Sequence, residues 1–101
     1  MGKYRRKPIV IDAIQWTGEN EEEIKKLAGM KAKFSYLVCT NNMYKLMSEK
    51  PKEKHTTSLM IVIQDGFKEA DIGDFIIRGV HGEIYPCKPD IFKQNYDKFE
   101  Y

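Results

Sequence analysis

The residues with the greatest capacity for chemistry in this chain are two cysteines and two histidines: Cys39, His55, His81 and Cys87. Thiolates and imidazoles together make the usual ligand set of a structural zinc site. Such sites hold two ligands on one loop at spacings like CxxC or HxxxH, and no pair here has that spacing. The pattern therefore predicts no metal site and no cofactor. Cys39, beside Val38 in an apolar run, is predicted to be a buried thiol that packs as a small hydrophobe.

Cys87 and His81 are the one local pair to consider for nucleophilic catalysis, because they lie six positions apart around a predicted hairpin. A catalytic thiol needs a lowered pKa, which a helix N-terminus can provide. Cys87 lies between Pro86 and Lys88 and is not expected at a helix N-terminus. The favoured interpretation is a cysteine at the end of a strand and a histidine in a turn, so no enzymatic activity is predicted.

Glycines near the C-terminus are arranged as in a hairpin and not as in a phosphate-binding loop. The segment GDFIIRGVHG lacks the GxGxxG spacing and does not open a helix. We expect Gly79 and Gly82 to shape a turn, with Ile77 and Ile84 filling the core on either side.

Cationic and aromatic side chains form the one pattern that favours ligand binding. Guanidinium and ammonium groups make charge-assisted hydrogen bonds with phosphate, and aromatic faces stack on bases. In the alternative interpretation the rings belong to the core and the cations are solvated. The six candidate ligand-binding residues are Arg5, Arg6, Trp16, Arg78, Tyr85 and Lys88.

The elements that must position these residues begin with a basic arm, residues 1–7, and a strand over 8–16 whose sequence is largely β-branched and apolar. A short helix follows. Asn20 is predicted to be its N-cap, with Glu23 as the capping-box partner. Gly29 suits the left-handed position after the last helical turn.

Beyond residue 32 the sequence is typical of antiparallel strands joined by tight turns, with an Asn-Asn pair at 41–42 and an Asp-Gly pair at 65–66. The tail forms a short helix or an irregular segment that packs Phe92 and Tyr96 onto the sheet. The fold class is α+β, with about six mostly antiparallel strands and one short helix in the N-terminal half. The predicted later strands are 34–40, 43–48, 58–64, 67–70, 74–79 and 83–87.

Composition limits the class of protein. The 101 residues suit a single domain, 1–101, and 17 basic against 15 acidic residues give a net charge of +2. That excess is too small for an obligate nucleic-acid binder, so no sequence-specific nucleic-acid binding is expected. No apolar run reaches the roughly 18 residues that span a bilayer. We expect a soluble, cytosolic protein with reduced cysteines and no membrane association.

Two terminal segments resemble a family of small proteins encoded by bacteriophages and prophages. The segments are KYRRKPIVIDAIQWTG, residues 3–18, and GDFIIRGVHGEIYPCKPDIF, residues 73–92, together about a third of the chain. The first matches a basic-aromatic arm that runs into an AIQWTG-like strand end, and the second matches a closing YPCKPDIF block. Relatives in the family carry proline before the Gly-Asp pair, where this chain has Ile72.

The resemblance implies a phage protein that acts in the cytoplasm of the infected bacterial host. Small non-enzymatic phage proteins often counter host defence by sequestering cyclic nucleotides or ADP-ribose derivatives. We therefore expect a homo-oligomeric binding protein that captures a small phosphorylated signal and so blocks anti-phage immunity. Its pocket would be completed by a second subunit, because a domain of this size is shallow.

Two other functions remain open at this point. The first is inhibition of a host protein by direct contact, through the charged loop EKPKEKH at 49–55 and the tail that ends in FEY. The second is an enzyme that degrades the same signals, for which the sequence offers poor material.

Overall fold

The computed structural model describes residue 2 and residues 11–96, and it shows an α+β fold with seven strands and two short α-helices. The predicted fold class is confirmed; each of the seven strands corresponds to a predicted segment, and the total is slightly higher than the predicted count of about six. The basic arm and the first part of the predicted 8–16 strand lie outside the described residues. The elements are β1 (Asp12–Gln15), α1 (Glu21–Ala28), a 3₁₀ turn (Gly29–Lys31), β2 (Ala32–Thr40), β3 (Met43–Met47), β4 (His55–Ile63), β5 (Gly66–Ala70), β6 (Phe75–Arg78), β7 (Ile84–Cys87) and α2 (Pro89–Asn95).

The strands form two antiparallel sheets. One sheet has the order β1-β6-β7, and the other has the order β3-β2-β4-β5. The strand β1 pairs with β6, although about sixty residues separate them in the chain. Strand β7 lies against β4 and β5, and α1 contacts β1, β2 and β6. The inner faces of both sheets and one side of α1 therefore enclose the same space.

That space is filled by a single hydrophobic core. Its largest fully buried side chains are Trp16, Ile24, Leu59, Ile61 and Ile76, while Ile77 is buried on the opposite face of β6. Ile77 and Ile84 are buried, as predicted. Along β2, every second residue faces the core, so Tyr36 and Val38 are buried while Leu37 and Cys39 are exposed. The prediction of a buried Cys39 was wrong because the pleat places its thiol on the outer side of the sheet.

Helix α1 begins after Asn20, but the capping box is not formed. The Asn20 side chain makes no cap hydrogen bond to the helix. Its Oδ1 instead accepts hydrogen bonds from the Thr17 backbone N–H, at 2.9 Å, and from the Thr17 hydroxyl, at 3.0 Å. Its Nδ2 donates to the Gln15 carbonyl oxygen at 2.8 Å. Asn20 thus fixes the bend between β1 and α1. Gly29 follows the last turn with φ of 58° and ψ of −132°, so its φ is positive as expected, but its ψ lies outside the left-handed helical region.

Two hairpin turns use the residues predicted for them. Asn41 and Asn42 have φ of 51° and 63°, a conformation that asparagine tolerates better than most residues. Gly82 has φ of 80° in the β6–β7 turn. A Cβ at Gly79 would overlap the carboxylate of Glu83, so a larger residue there would displace that exposed side chain.

Helix α2 packs on the sheet through aromatic rings. The ring of Phe92 stacks on Phe75 of β6, with centroids 3.9 Å apart, and on Tyr96, with centroids 5.1 Å apart. The expected contact of Phe92 with the sheet is confirmed, and Tyr96 neighbours Tyr85 of β7. Neither helix in the described residues is long and apolar enough to cross a membrane.

Candidate functional site

Arg78 and Lys88, the two predicted phosphate-binding cations of the last hairpin, are separated by the β6–β7 ladder. Arg78 pairs with Ile84 at one end of the ladder, and Lys88 follows Cys87 at the other end. Four strand steps, from the level of Ile84 to Lys88, place their backbones roughly 13 Å apart. The Arg78 guanidinium forms an ion pair with the Asp12 carboxylate at 2.5 Å. The two cations therefore do not converge on one ligand within a single chain.

Lys88 is held by two carboxylates. Its Nζ lies 2.6 Å from Asp71 Oδ2 and 3.1 Å from Asp74 Oδ2. These hydrogen bonds, to Asp71 and then Asp74, raise the pKa of Lys88, so the ammonium form is favoured. Its charge is already balanced, and its part in the fold is to join the start of α2 to the segment before β6.

Asp74 is the centre of a hydrogen-bond network that joins the end of β1 to the Gly-Asp pair before β6 and to Lys88 before α2. Its carboxylate is buried and accepts the Asp71 backbone N–H at 2.9 Å. Its carbonyl oxygen accepts the Trp16 N–H at 2.8 Å, and the Gly73 N–H donates to the Trp16 carbonyl at 2.7 Å. The Gly-Asp pair, the AIQWTG strand end and the Lys-Pro-Asp run are thus parts of one structural unit.

Of the two aromatic candidates, Trp16 is fully buried and Tyr85 is partly buried. Trp16 is 1% exposed and packs against Phe34 with ring centroids 5.7 Å apart, so its ring is a core residue and has no face free for stacking on a base. Tyr85 is half-buried. Burial, and then the neighbouring Tyr96, raise its pKa to about 12. Arg5 and Arg6 lie outside the described residues.

The raised pKa of Tyr85 predicts a specific loss of stability at alkaline pH. Because the folded state keeps the phenol protonated above the unfolded pKa of 10.0, this contribution is complete below pH 10 and is lost as pH rises through about 12. A shift of this size corresponds to about 2 kcal/mol. In urea titrations, wild type should lose more unfolding free energy than Tyr85→Phe between about pH 9 and about pH 12. Tyr44→Phe, at an exposed position, should behave as wild type; equal losses in wild type and Tyr85→Phe would contradict the assignment.

The structure does not bring His81 and Cys87 together as a catalytic pair, and it does not bring the four candidate zinc ligands together. His81 lies in the β6–β7 turn and Cys87 at the opposite end of the ladder. Burial, and then the charges of Asp74 and Asp90, raise the pKa of the Cys87 thiol, which opposes formation of a nucleophilic thiolate. Among the described residues, no group of three or more His, Cys, Asp or Glu side chains is placed to hold a metal ion.

A cleft lies between the β1–α1 bend and the segment that leads into β4, and we refer to it as the lysine cleft. Its volume is about 600 Å³. Ile72 contributes apolar surface, and Glu19, Glu21 and Glu53 contribute carboxylates. The cationic and hydroxyl-bearing residues that line it are Thr17, Lys50, Lys52, Lys54, His55, Thr56 and Thr57.

At the floor of the lysine cleft, the Glu21 carboxylate is held by contacts with Tyr36 and Lys50. Glu21 is buried, and its Oε2 accepts the Tyr36 hydroxyl at 3.4 Å and lies 3.3 Å from Lys50 Nζ. Burial, and then Glu21, raise the pKa of Tyr36, so the phenol remains a donor. The His55 ring stands edge-on to the Tyr36 ring with centroids 5.3 Å apart. Packing therefore fixes the position of His55 in the wall.

The charges at the cleft are divided between its floor and its rim. Lys50 is balanced by Glu21, whereas Lys52 and Lys54 form no ion pair with any other described residue. Both are exposed. A neighbouring cavity of about 370 Å³ shares Glu19, Glu21 and Lys50 and extends the groove along the acidic first turn of α1. Arg78 lines a different, smaller cavity of about 310 Å³.

Sequence reasoning treated 49–55 as an exposed contact loop and did not predict the cleft. The available signal was the spacing Lys-x-Lys-x-Lys at 50, 52 and 54, which concentrates three cations within five residues. Comparisons of the chain with protein-family models, with curated proteins and with solved structures find no match.

Proposed function

We propose that this protein is a non-enzymatic binding protein that takes a small phosphorylated ligand into the lysine cleft. The observation that carries the proposal is a cleft of about 600 Å³ whose rim holds Lys52 and Lys54 and whose wall holds His55 and three threonine hydroxyls. Small-molecule sites commonly measure about 300–1,000 Å³, so a mononucleotide or dinucleotide fits in size.

The chemistry of the lining suits phosphate in particular. Ammonium groups on flexible stems act as point charges for phosphate oxygens, and the hydroxyls of Thr56 and Thr57 supply further donors. Glu21 already engages Lys50, which leaves the two rim lysines for the ligand. The side chain of Ile72 offers apolar contact for a base or sugar at the same opening.

The biological role follows from the resemblance to phage proteins. A phage-encoded binder of this kind would sequester a cyclic nucleotide or an ADP-ribose derivative in the cytoplasm of the infected host and so block anti-phage immunity. Retention of the ligand unchanged is part of the proposal, because sequestration requires binding without turnover.

Native mass spectrometry with a panel of cyclic dinucleotides, cyclic trinucleotides and cyclic ADP-ribose isomers tests the binding. We expect one intact ligand to be retained at fixed stoichiometry. Lys52→Ala and Lys54→Ala should each weaken binding by roughly 10- to 100-fold, the loss of one charge-assisted hydrogen bond of about 1.5–3 kcal/mol. Lys93→Ala, an exposed lysine on α2, is the matched control and should leave affinity unchanged. An empty protein across the panel, or equal affinities in all three variants, would show that the cleft is not the site.

A second candidate function is inhibition of a host protein by direct contact. The observation in its favour is that the same rim, residues 49–54, is exposed and highly charged apart from Pro51. A pull-down from host lysate should then recover one stoichiometric partner that Lys52→Glu releases and Lys93→Glu retains. Recovery of no partner, in a protein that retains a panel ligand, favours the first function.

A further inference from the structure

The outer face of the β3-β2-β4-β5 sheet is unusually apolar for a surface. Residues that alternate with the core positions form this face, since paired residues on neighbouring strands point to the same side. Tyr44, Leu46 and Phe67 are 73%, 70% and 63% exposed, and Leu37 and Met60 are 39% exposed. Val62, which pairs with Phe67, lies on the same side.

These side chains form two clusters at diagonally opposite corners of the face. Leu37, Tyr44 and Leu46 lie together on β2 and β3, as the pairs Leu37–Leu46 and Cys39–Tyr44 require. Met60, Val62 and Phe67 lie together on β4 and β5. The serines of the pair Ser35–Ser58 separate the two clusters at the centre of the sheet. The outcome is an apolar stripe with a small polar centre.

The stripe is large enough to form a specific contact. Its five most exposed apolar residues leave roughly 500 Å² open to water in each chain, given about 150–250 Å² for a full aromatic side chain. Typical monomers have a largest apolar patch of about 300–600 Å², and such patches commonly mark interaction sites. Two copies would together bury about 1,000 Å², which meets the lower limit for a specific protein interface.

We infer that this face is the interface of a two-fold symmetric homodimer, in which two copies pack sheet against sheet. A two-fold axis that lies in the plane of the interface, runs along the stripe and passes between Ser35 and Ser58 superposes the stripe of one copy on the stripe of the other. The two central serine pairs then meet and can satisfy each other's hydroxyls. Facing sheets lie about 10 Å apart, which the leucine, methionine and aromatic side chains fill.

The charges on this face favour a second copy over a charged partner. On the outer side of β2, β3, β4 and β5, the charged residues are Lys33 and Glu69, one of each sign, and they flank Met60 in the same row. Two copies therefore meet without net repulsion, with an apolar centre and a polar rim of mixed sign, as in stable interfaces. The proposal does not depend on the ligand of the lysine cleft.

Sedimentation velocity from about 1 µM to about 500 µM tests the dimer, with an expected dissociation constant of about 1–100 µM. Leu46→Asp and Phe67→Asp, one in each cluster, should each raise that constant tenfold or more. Both positions are exposed, so the fold should persist, and circular dichroism checks it. Val80→Asp, at an exposed valine in the β6–β7 turn, is the matched control and should dimerise as wild type.

Cys39 provides a second readout because its exposed thiol lies on the same face, paired with Tyr44. In a Cys87→Ser background, its rate of alkylation should fall as protein concentration rises through the dimerisation range. Carboxymethylated Cys39 should hold the chain as a monomer. A monomer throughout the concentration range, or a dimer that both aspartate variants leave intact, overturns the proposal. Each of these results comes without ligand and so is separate from a failure of the lysine cleft.

Discussion

Trp16→Ala should lower the free energy of unfolding by about 3–5 kcal/mol, the cost of removing a large aromatic side chain from a core. Trp16 is 1% exposed and lies in the centre of the cluster formed by α1 and both sheets. Its backbone also exchanges hydrogen bonds with Gly73 and Asp74, so a collapse at this position weakens the junction between β1 and β6. Urea denaturation followed by far-ultraviolet circular dichroism measures the change.

Two variants make this result specific. Tyr44→Ala removes an aromatic side chain that is 73% exposed and should change the free energy of unfolding by about 0.5 kcal/mol or less in the monomer. Trp16→Phe retains most of the buried volume and should fold, with ligand affinity equal to wild type. Loss of affinity in a folded Trp16→Phe protein would instead return Trp16 to the ligand site, as the sequence had suggested.

Asp74→Ala should cost about 3 kcal/mol, because two hydrogen bonds to one buried carboxylate are lost, each worth about 1.5–3 kcal/mol before relaxation. The Asp71 N–H, which donates to Asp74 Oδ2 at 2.9 Å, loses its acceptor. Lys88 keeps Asp71 as a partner at 2.6 Å. The same urea titration gives the value.

The variant Lys88→Met separates the stability that comes from the Asp74 carboxylate as a whole from the stability that comes from its ion pair with Lys88. It keeps an aliphatic stem and removes the ammonium group, and it should destabilise the fold less than Asp74→Ala because the Asp71 N–H still binds Asp74. The double variant completes a cycle whose coupling should be clearly different from zero. Strict additivity would show that Lys88 and Asp74 do not interact in solution.

The elements of this fold could largely be predicted because their signals are local. β-branched runs predicted the strands, and the Asn-Asn pair at 41–42 predicted a turn that requires positive φ. Errors arose where a long-range contact decides the local structure. β4 begins at His55 and not at Ser58, because residues 55–57 pair with Val38, Leu37 and Tyr36 on a strand that lies well before it in the chain.

The sequence of β2 also does not determine which of its residues face the core. Leu37, Val38 and Cys39 are all apolar, so alternation alone does not say which of them face the core. The core position of α1 decides it, and Val38 faces inward. The side chain of Asn20 could likewise bond either the helix N-terminus or the preceding bend. In the structure it bonds Thr17 and Gln15 in the bend and does not cap the helix.

For the candidate site, the sequence predicted the type of residue involved, cations that can bind phosphate, but not where in the fold the site lies. Arg78 and Lys88 are cations in the sequence, but their carboxylate partners, Asp12 for Arg78 and Asp71 for Lys88, lie 66 and 17 positions away. Such pairing is visible only in the fold. The lysine cleft likewise forms where residues near 17–21 meet residues near 50–57, and no local pattern joins those segments.

The pairing of β1 with β6 has a consequence for the way the chain is made. A ribosome delivers the N-terminal strand first, and its partner emerges only after about sixty more residues. During that interval Ile14 and Trp16 have no sheet to join, while the hairpins of β2 to β5 can already close on their own neighbours. The core is therefore completed only after β6 and β7 have been made, when these strands pair with β1.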